Sequence, residues 1–100
     1  MSHYAIYCRD KAGKADQRQA ASPAHLKHVE QNLERYFVAG PIRDEDGATV
    51  GSLLIVKAES VDEARAFLEQ DPYFSADIWE SIEIQDFMPA AGDWIGGKIW

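Results

Sequence analysis

The chain has one cysteine, Cys8, which excludes an internal disulfide. A lone thiol suits a reducing cytoplasm, and that is the expected compartment. Long apolar runs are absent as well. The longest purely aliphatic stretch, residues 53–56, has four members, against the ~20 that a membrane span requires. Met1-Ser2-His3-Tyr4 has neither the charged start nor the apolar run of an export signal. Basic residues are few, ten against seventeen acidic ones, for a net charge of −7. Such a chain gains nothing from counterion release on a phosphate backbone, and an anionic leaflet would repel it. Neither a nucleic-acid nor a membrane partner is expected. Repeats, low-complexity segments and linkers are also missing.

What is present is a 46% apolar fraction in 100 residues, which is ordinary for one globular domain with one core. Residues 3–9 are rich in β-formers and read as a first strand. Residues 10–21, polar and rich in Ala, Gly and Gln, read as a long loop. Ser22-Pro23 then supplies a helix start, with Ser as the cap and Pro in the first helical position. At 100° per residue, Leu26, Val29, Leu33, Tyr36 and Phe37 form one apolar stripe, and the helix is expected to end near Arg35. Tyr36-Phe37-Val38-Ala39 reads as a second strand interrupted by Gly40-Pro41, which places it on a sheet edge. Asp44-Glu45-Asp46-Gly47 supplies a turn, and residues 49–57 form a strand apolar on both faces and hence central. Ser60 and Glu63 have capping-box spacing, with Val61, Ala64, Phe67 and Leu68 as the buried stripe of a second helix. Asp71-Pro72 ends that helix and caps a short turn. Residues 78–88 form the last strand, with Ile82 and Ile84 on one face.

The order β-α-β-β-α-β, with right-handed connections on an antiparallel sheet, predicts a ferredoxin-like α+β sandwich spanning residues 1–88. Both helices then cover one face. The other face still carries apolar and aromatic side chains, so it is expected to pack against a second copy of the chain. Two Trp and two Ile stand within residues 94–100. Leaving them in water is costly at ~25 cal/mol per Å². The tail, residues 89–100, is therefore expected to pack on the body or on the partner subunit.

Three histidines could carry chemistry. His28 points about 130° from the centre of the apolar stripe, into solvent, and His3 sits at the chain start. His25 lies about 70° off centre, at the border between core and cleft. A third helical position after Ser22 disfavours imidazolium and favours the neutral form that abstracts a proton. A carboxylate on the other ring nitrogen would fix the tautomer. Asp71 is the candidate, although an Asp before Pro is equally a good helix cap. His25 and His28 could face one ion, yet a third ligand is missing and no zinc motif is present, so no metal and no cofactor are expected. Cys8 reads as a small core residue.

Arg18, Pro23-Ala24-His25-Leu26, Ala39-Gly40-Pro41 and Asp71-Pro72-Tyr73-Phe74 together resemble the YciI-like (YCII-related) proteins over roughly residues 3–88. The resemblance implies a ferredoxin-like dimeric α/β-barrel, related in fold to muconolactone isomerases. It also implies an active site on a His and an Asp, which map onto His25 and Asp71. Arg18 matches a basic position of the family, whereas Ser22 stands where many members have a second arginine. Elimination from a small ring compound is one reaction in the family. The expectation is an acid–base enzyme of lyase or isomerase type on a small organic molecule. His25 would be the base, Asp71 its orienting partner, and Arg18 an anchor for an anionic substrate. The alternative is a non-catalytic ligand-binding or interaction module that uses the same cleft.

Overall fold

A computed structural model of the chain describes residues 2–98, so Ile99 and Trp100 of the expected packing tail lie outside the described residues. Four antiparallel strands form the main sheet: β1 (Ser2–Asp10), β2 (Tyr36–Arg43), β3 (Thr49–Ala58) and β4 (Trp79–Phe87), in the order β2-β3-β1-β4. The two middle strands explain the apolar character on both faces. Tyr4, Ile6 and Cys8 of β1 and Leu54 and Val56 of β3 alternate onto the helix-covered face and are buried. Register places Ile6 between Leu54 and Ile84, and Cys8 between Ser52 and Ile82. The intervening residues Ala5, Tyr7, Leu53 and Ile55 line the opposite face, where Leu53 is 42% exposed. Strand β2 runs through Gly40-Pro41 without interruption, Pro41 pairing with Ser52. An edge strand needs only one of its two rows of backbone groups for the ladder, so the missing N–H is tolerated there.

The first helix departs most from expectation. Helix α1 covers Ala15–Gln31, with Pro23 inside it, and a 3₁₀ turn follows over Leu33–Arg35. The expected loop over residues 10–21 is therefore half helix, and Asp10 belongs to β1. Pro23 lacks the N–H that would meet the Gln19 carbonyl, a defect of roughly 3 kcal/mol in an isolated helix. Tertiary contacts on both sides of it outweigh that loss. The helix is also turned differently. Arg18, Ser22, His25 and Val29 recur at i, i+4, i+7 and i+11 and are half-buried, whereas Leu26 and Leu33 of the expected stripe are 56% and 62% exposed. Arg18 and His25 hold the inward face because Asp10, Ser52 and Asp71 meet them there. His28 comes with them, its ring 5.6 Å from that of Phe67, instead of pointing into solvent.

Helix α2 (Val61–Leu68) follows the local rules more closely. The Ser60 hydroxyl accepts from the Glu63 N–H at 3.1 Å, and Ala64, Phe67 and Leu68 are buried. The Glu63 carboxylate does not reach back to complete a capping box; it pairs with Arg35 at 3.7 Å. Val61 is 47% exposed. The single turn α3 (Pro72–Ser75) is capped by Asp71. After β4 the chain forms a small ladder, β5 (Ala91–Gly92) with β6 (Gly97–Lys98). Between them Trp94 turns its ring edge toward Phe37, 6.4 Å between centroids, while remaining 76% exposed. Among the described residues no helix is long and apolar enough to cross a membrane.

Candidate active site

A cavity of about 330 Å³ opens between α1, the β2–β3 edge and α3, with Arg18, His25, Pro41, Ser52, Tyr73 and Trp79 among its walls. Its floor is built from sequence signals that are mostly local. Pro72 starts α3 without needing a donor, and Asp71 caps it, Oδ1 accepting from the Tyr73 N–H at 2.8 Å. Capping turns the carboxylate inward, where it is 1% exposed. A carboxylate so deeply buried requires further donors, and α1 supplies one. His25 Nδ1 lies 2.8 Å from Asp71 Oδ1 and 3.0 Å from Oδ2. Because a carboxylate only accepts, Nδ1 carries the hydrogen, and in the neutral ring Nε2 is then the nitrogen with the lone pair. His25 Nε2 makes no hydrogen bond to the described residues, and the residue lines the cavity.

The two readings of Asp71, helix cap and histidine partner, are both realised by one carboxylate. The electrostatic argument from the helix start does not carry over. His25 stands ten residues after Ala15, well beyond the first turn where the helix dipole acts. The carboxylate beneath the ring now supplies the orientation and the charge.

Arg18 also reaches the cavity, but its guanidinium is largely committed. Nε donates to Asp10 Oδ2 at 2.8 Å, and Nη2 donates to Ser52 Oγ at 2.7 Å and to the Gly51 carbonyl at 3.2 Å. Glycine at 51 serves a different contact, the close pairing of β3 with β1, since a Cβ there would collide with the Cys8 carbonyl. Arg18 Cζ further lies 4.5 Å from the centre of the Tyr73 ring. Of its nitrogens, Nη1 is the one left for a substrate anion. Tyr73 stacks on His25 with centroids 3.9 Å apart and planes 14° from parallel.

Sequence reasoning did not single out Ser52, Asp10 or Trp79, and it met Tyr73 only within the segment Asp71-Pro72-Tyr73-Phe74, with no role of its own. On α1 the available signal was the polar spacing 18-22-25, which competes with the apolar stripe and marks the face that turns inward.

Cys8 is fully buried, and burial, with the Asp71 and Asp10 carboxylates adding to it, pushes its thiol from 9.0 up to about 12. It stays protonated at neutral pH and is no nucleophile. The Tyr36 hydroxyl is raised for the same two reasons, burial first and Asp71 second. His3 packs against Phe37 at 5.3 Å on the opposite sheet face, and His28 is inside against Phe67. His25 and His28 thus have separate surroundings, and among the described residues no three His, Cys, Asp or Glu side chains gather as metal ligands.

Residues 2–88 match the YCII-related domain. The chain belongs to this family. Protein YciI of Escherichia coli is 33% identical over 92 residues, covering 84% of this chain and 94% of that protein. An uncharacterised protein of Haemophilus influenzae is 28% identical over 93 residues, 85% and 95% of the two chains. Among solved structures, the YCII-related chain is similar to 5-chloro-2-hydroxyhydroquinone dehydrochlorinase (TftG) from Burkholderia phenoliruptrix, in complex with 2,5-dihydroxybenzoquinone. The TM-score is 0.79 at 29% identity, over 91% of this chain and 96% of that one. A NIPSNAP family protein of Agrobacterium tumefaciens shares the fold at 17% identity, with TM-score 0.54 over 88% and 84% of the chains. The architecture is thus the ferredoxin-like one of the dimeric α/β-barrel class.

Proposed function

We propose that this YCII-related protein catalyses a lyase-type elimination on a small oxygenated ring, with His25 as base and Asp71 as its orienting partner. The observation that carries this reading is the pairing of His25 Nδ1 with the buried Asp71 carboxylate, on a residue that lines the cavity and whose Nε2 is left for a substrate. In the diketo tautomer of such a ring, where the two reacting carbons are tetrahedral, a proton passes from the carbon beside a carbonyl to Nε2. The electron pair it leaves behind forms the new double bond, and a halide departs from the adjacent carbon with its own pair. The net change is loss of a hydrogen halide, with no change in any external redox partner. Asp71 stabilises the imidazolium during the step and does not itself take the proton. Arg18 Nη1 and Ser52 serve the oxygens of an anionic substrate. The likeness to a dehydrochlorinase supports the substrate class. Chloride release from 5-chloro-2-hydroxyhydroquinone tests the reading, and steady production by the wild-type chain is expected. Binding of 2,5-dihydroxybenzoquinone with no chloride released would favour a binding module, and absence of both would overturn the site.

The same reading has the protein working in the cytoplasm as a homodimer, the second copy covering the open sheet face. Its support is the row Ala5, Tyr7, Leu53 and Ile55 with no helix above it, continued by His3, Phe37 and Trp94. Trp94, 76% exposed, would be covered there, which gives the tail its place against the partner. A specific interface would bury ~800 Å² on each copy. Light scattering should give twice the 11.2 kDa chain mass. A species of single-chain mass at ~50 μM, the range in which mass action favours a specific dimer, would remove this arrangement.

A further inference from the structure

A hydrogen bond along one direction does not fix a ring. With Nδ1 bonded to Asp71, the imidazole of His25 can still rock about the axis through that bond, sweeping Nε2 across the cavity. The Asp71 contact offers no resistance to this motion, because the carboxylate presents two oxygens at similar distances, 2.8 and 3.0 Å. The remaining restraint comes from Tyr73. Its ring is 4% exposed and stacks on the imidazole at 3.9 Å and 14°. A stacked imidazole covers one face of the phenol, and a guanidinium carbon 4.5 Å from the ring centre is too near for an approach in the ring plane. Arg18 therefore takes the other face. The two α1 side chains stand seven residues apart, a rise of about 10.5 Å, and the Tyr73 ring is wedged between them. Arg18 is itself immobilised by Asp10, Ser52 and the Gly51 carbonyl, so the far side of the wedge is rigid. Tyr73 also donates its backbone N–H to Asp71 Oδ1 at 2.8 Å. One residue thus steadies the carboxylate through its main chain and the imidazole through its side chain.

We infer that Tyr73 is a positioning residue, whose ring, held between Arg18 and His25, sets the imidazole plane so that Nε2 faces the substrate. This role rests on the acid–base reading for its catalytic meaning, though not for its structural one. Only the flat ring matters to it. Tyr73→Phe is expected to keep kcat for 5-chloro-2-hydroxyhydroquinone within about twofold, since stacking survives loss of the hydroxyl. Tyr73→Leu should lower kcat by about 10–100-fold with KM changed less than about threefold, because misplacing a base by a fraction of an ångström weakens the near-attack geometry and spares binding.

Carbon-13 relaxation of the His25 ring supplies a readout independent of turnover. The imidazole should be as rigid as the backbone, with an order parameter about 0.85, in wild type and Tyr73→Phe, falling below about 0.6 in Tyr73→Leu. Should the leucine variant not fold, Tyr73→Met refills the space with a flexible side chain and answers the same question. A ring that stays rigid in the leucine or methionine variant overturns the inference. So does an equal loss of kcat in Tyr73→Phe, which would assign the effect to the hydroxyl. If wild type releases no chloride, the elimination reading fails alone, and relaxation still decides what Tyr73 does.

Discussion

Replacing His25 by asparagine is expected to lower chloride release from 5-chloro-2-hydroxyhydroquinone by about 10²–10⁴-fold, the usual worth of a positioned general base. Asparagine is the informative substitution. Its side-chain amide can donate to Asp71 much as Nδ1–H does, so the buried carboxylate keeps a second donor and the fold is retained. It has no group that accepts a proton at neutral pH. His25→Ala should show the same kinetic loss together with lower stability, because Asp71, 1% exposed, is then left with only the Tyr73 N–H. An unpaired buried charge costs upward of about 1–3 kcal/mol. In both variants 2,5-dihydroxybenzoquinone should still bind within about tenfold of wild type by calorimetry, since Arg18 and the other cavity walls are untouched. That pattern separates a lost base from a lost pocket. Unchanged chloride release in His25→Asn would remove His25 from the reaction.

Asp71 carries the second large effect, and here stability and catalysis separate by substitution. Asp71→Ala removes a helix cap, worth about 1 kcal/mol, and strips the His25 ring of its acceptor in a nearly dry environment. The combined destabilisation is expected to be about 2–4 kcal/mol, the range typical of breaking a buried network, and urea unfolding would measure it. Asp71→Asn keeps the capping oxygen and the shape, so most of that stability should return. Turnover should not return. A neutral amide cannot stabilise the imidazolium, and its NH₂ can face Nδ1 and drive the proton to Nε2, so a fall of about 10²–10⁴-fold is expected. Nitrogen-15 NMR of the histidine ring reads the tautomer directly. Wild type should show Nδ1–H, and Asp71→Asn should lose that preference. If Asp71→Ala unfolds with wild type, the carboxylate neither caps nor holds anything of consequence.

The course of the chain explains why some of this architecture was legible in the sequence. Strand alternation has a period of two and needs no partner to be read, so β1, β3 and β4 lie where their Tyr, Ile, Leu and Val residues put them. Ser60 and Asp71-Pro72 act within three residues of themselves, and both cap their helices as expected. Helix α1 obeys no such local rule. Ser22-Pro23 is a good helix start taken alone, yet the helix begins at Ala15. Arg18 gains Asp10, Ser52 and Gly51 only if residues 15–22 are already helical and lie across the sheet. The same contacts decided its rotation: apolar periodicity pointed Leu26 and Leu33 inward, and the polar face went in instead.

By itself, then, the sequence determined the order of elements, the central place of β3, the edge place of Pro41 and the caps of α2 and α3, all of which depend on neighbours in the chain. It also carried the YCII-related domain over residues 2–88. Tertiary structure alone decided where α1 begins, which face it turns inward, and how a histidine and an aspartate 46 residues apart come within 2.8 Å with a tyrosine ring wedged beside them. The physical reason is one of range. Turn and strand signals act over a few residues, whereas a buried carboxylate, an arginine and an imidazole choose their conformations by the partners that the finished sheet brings to them.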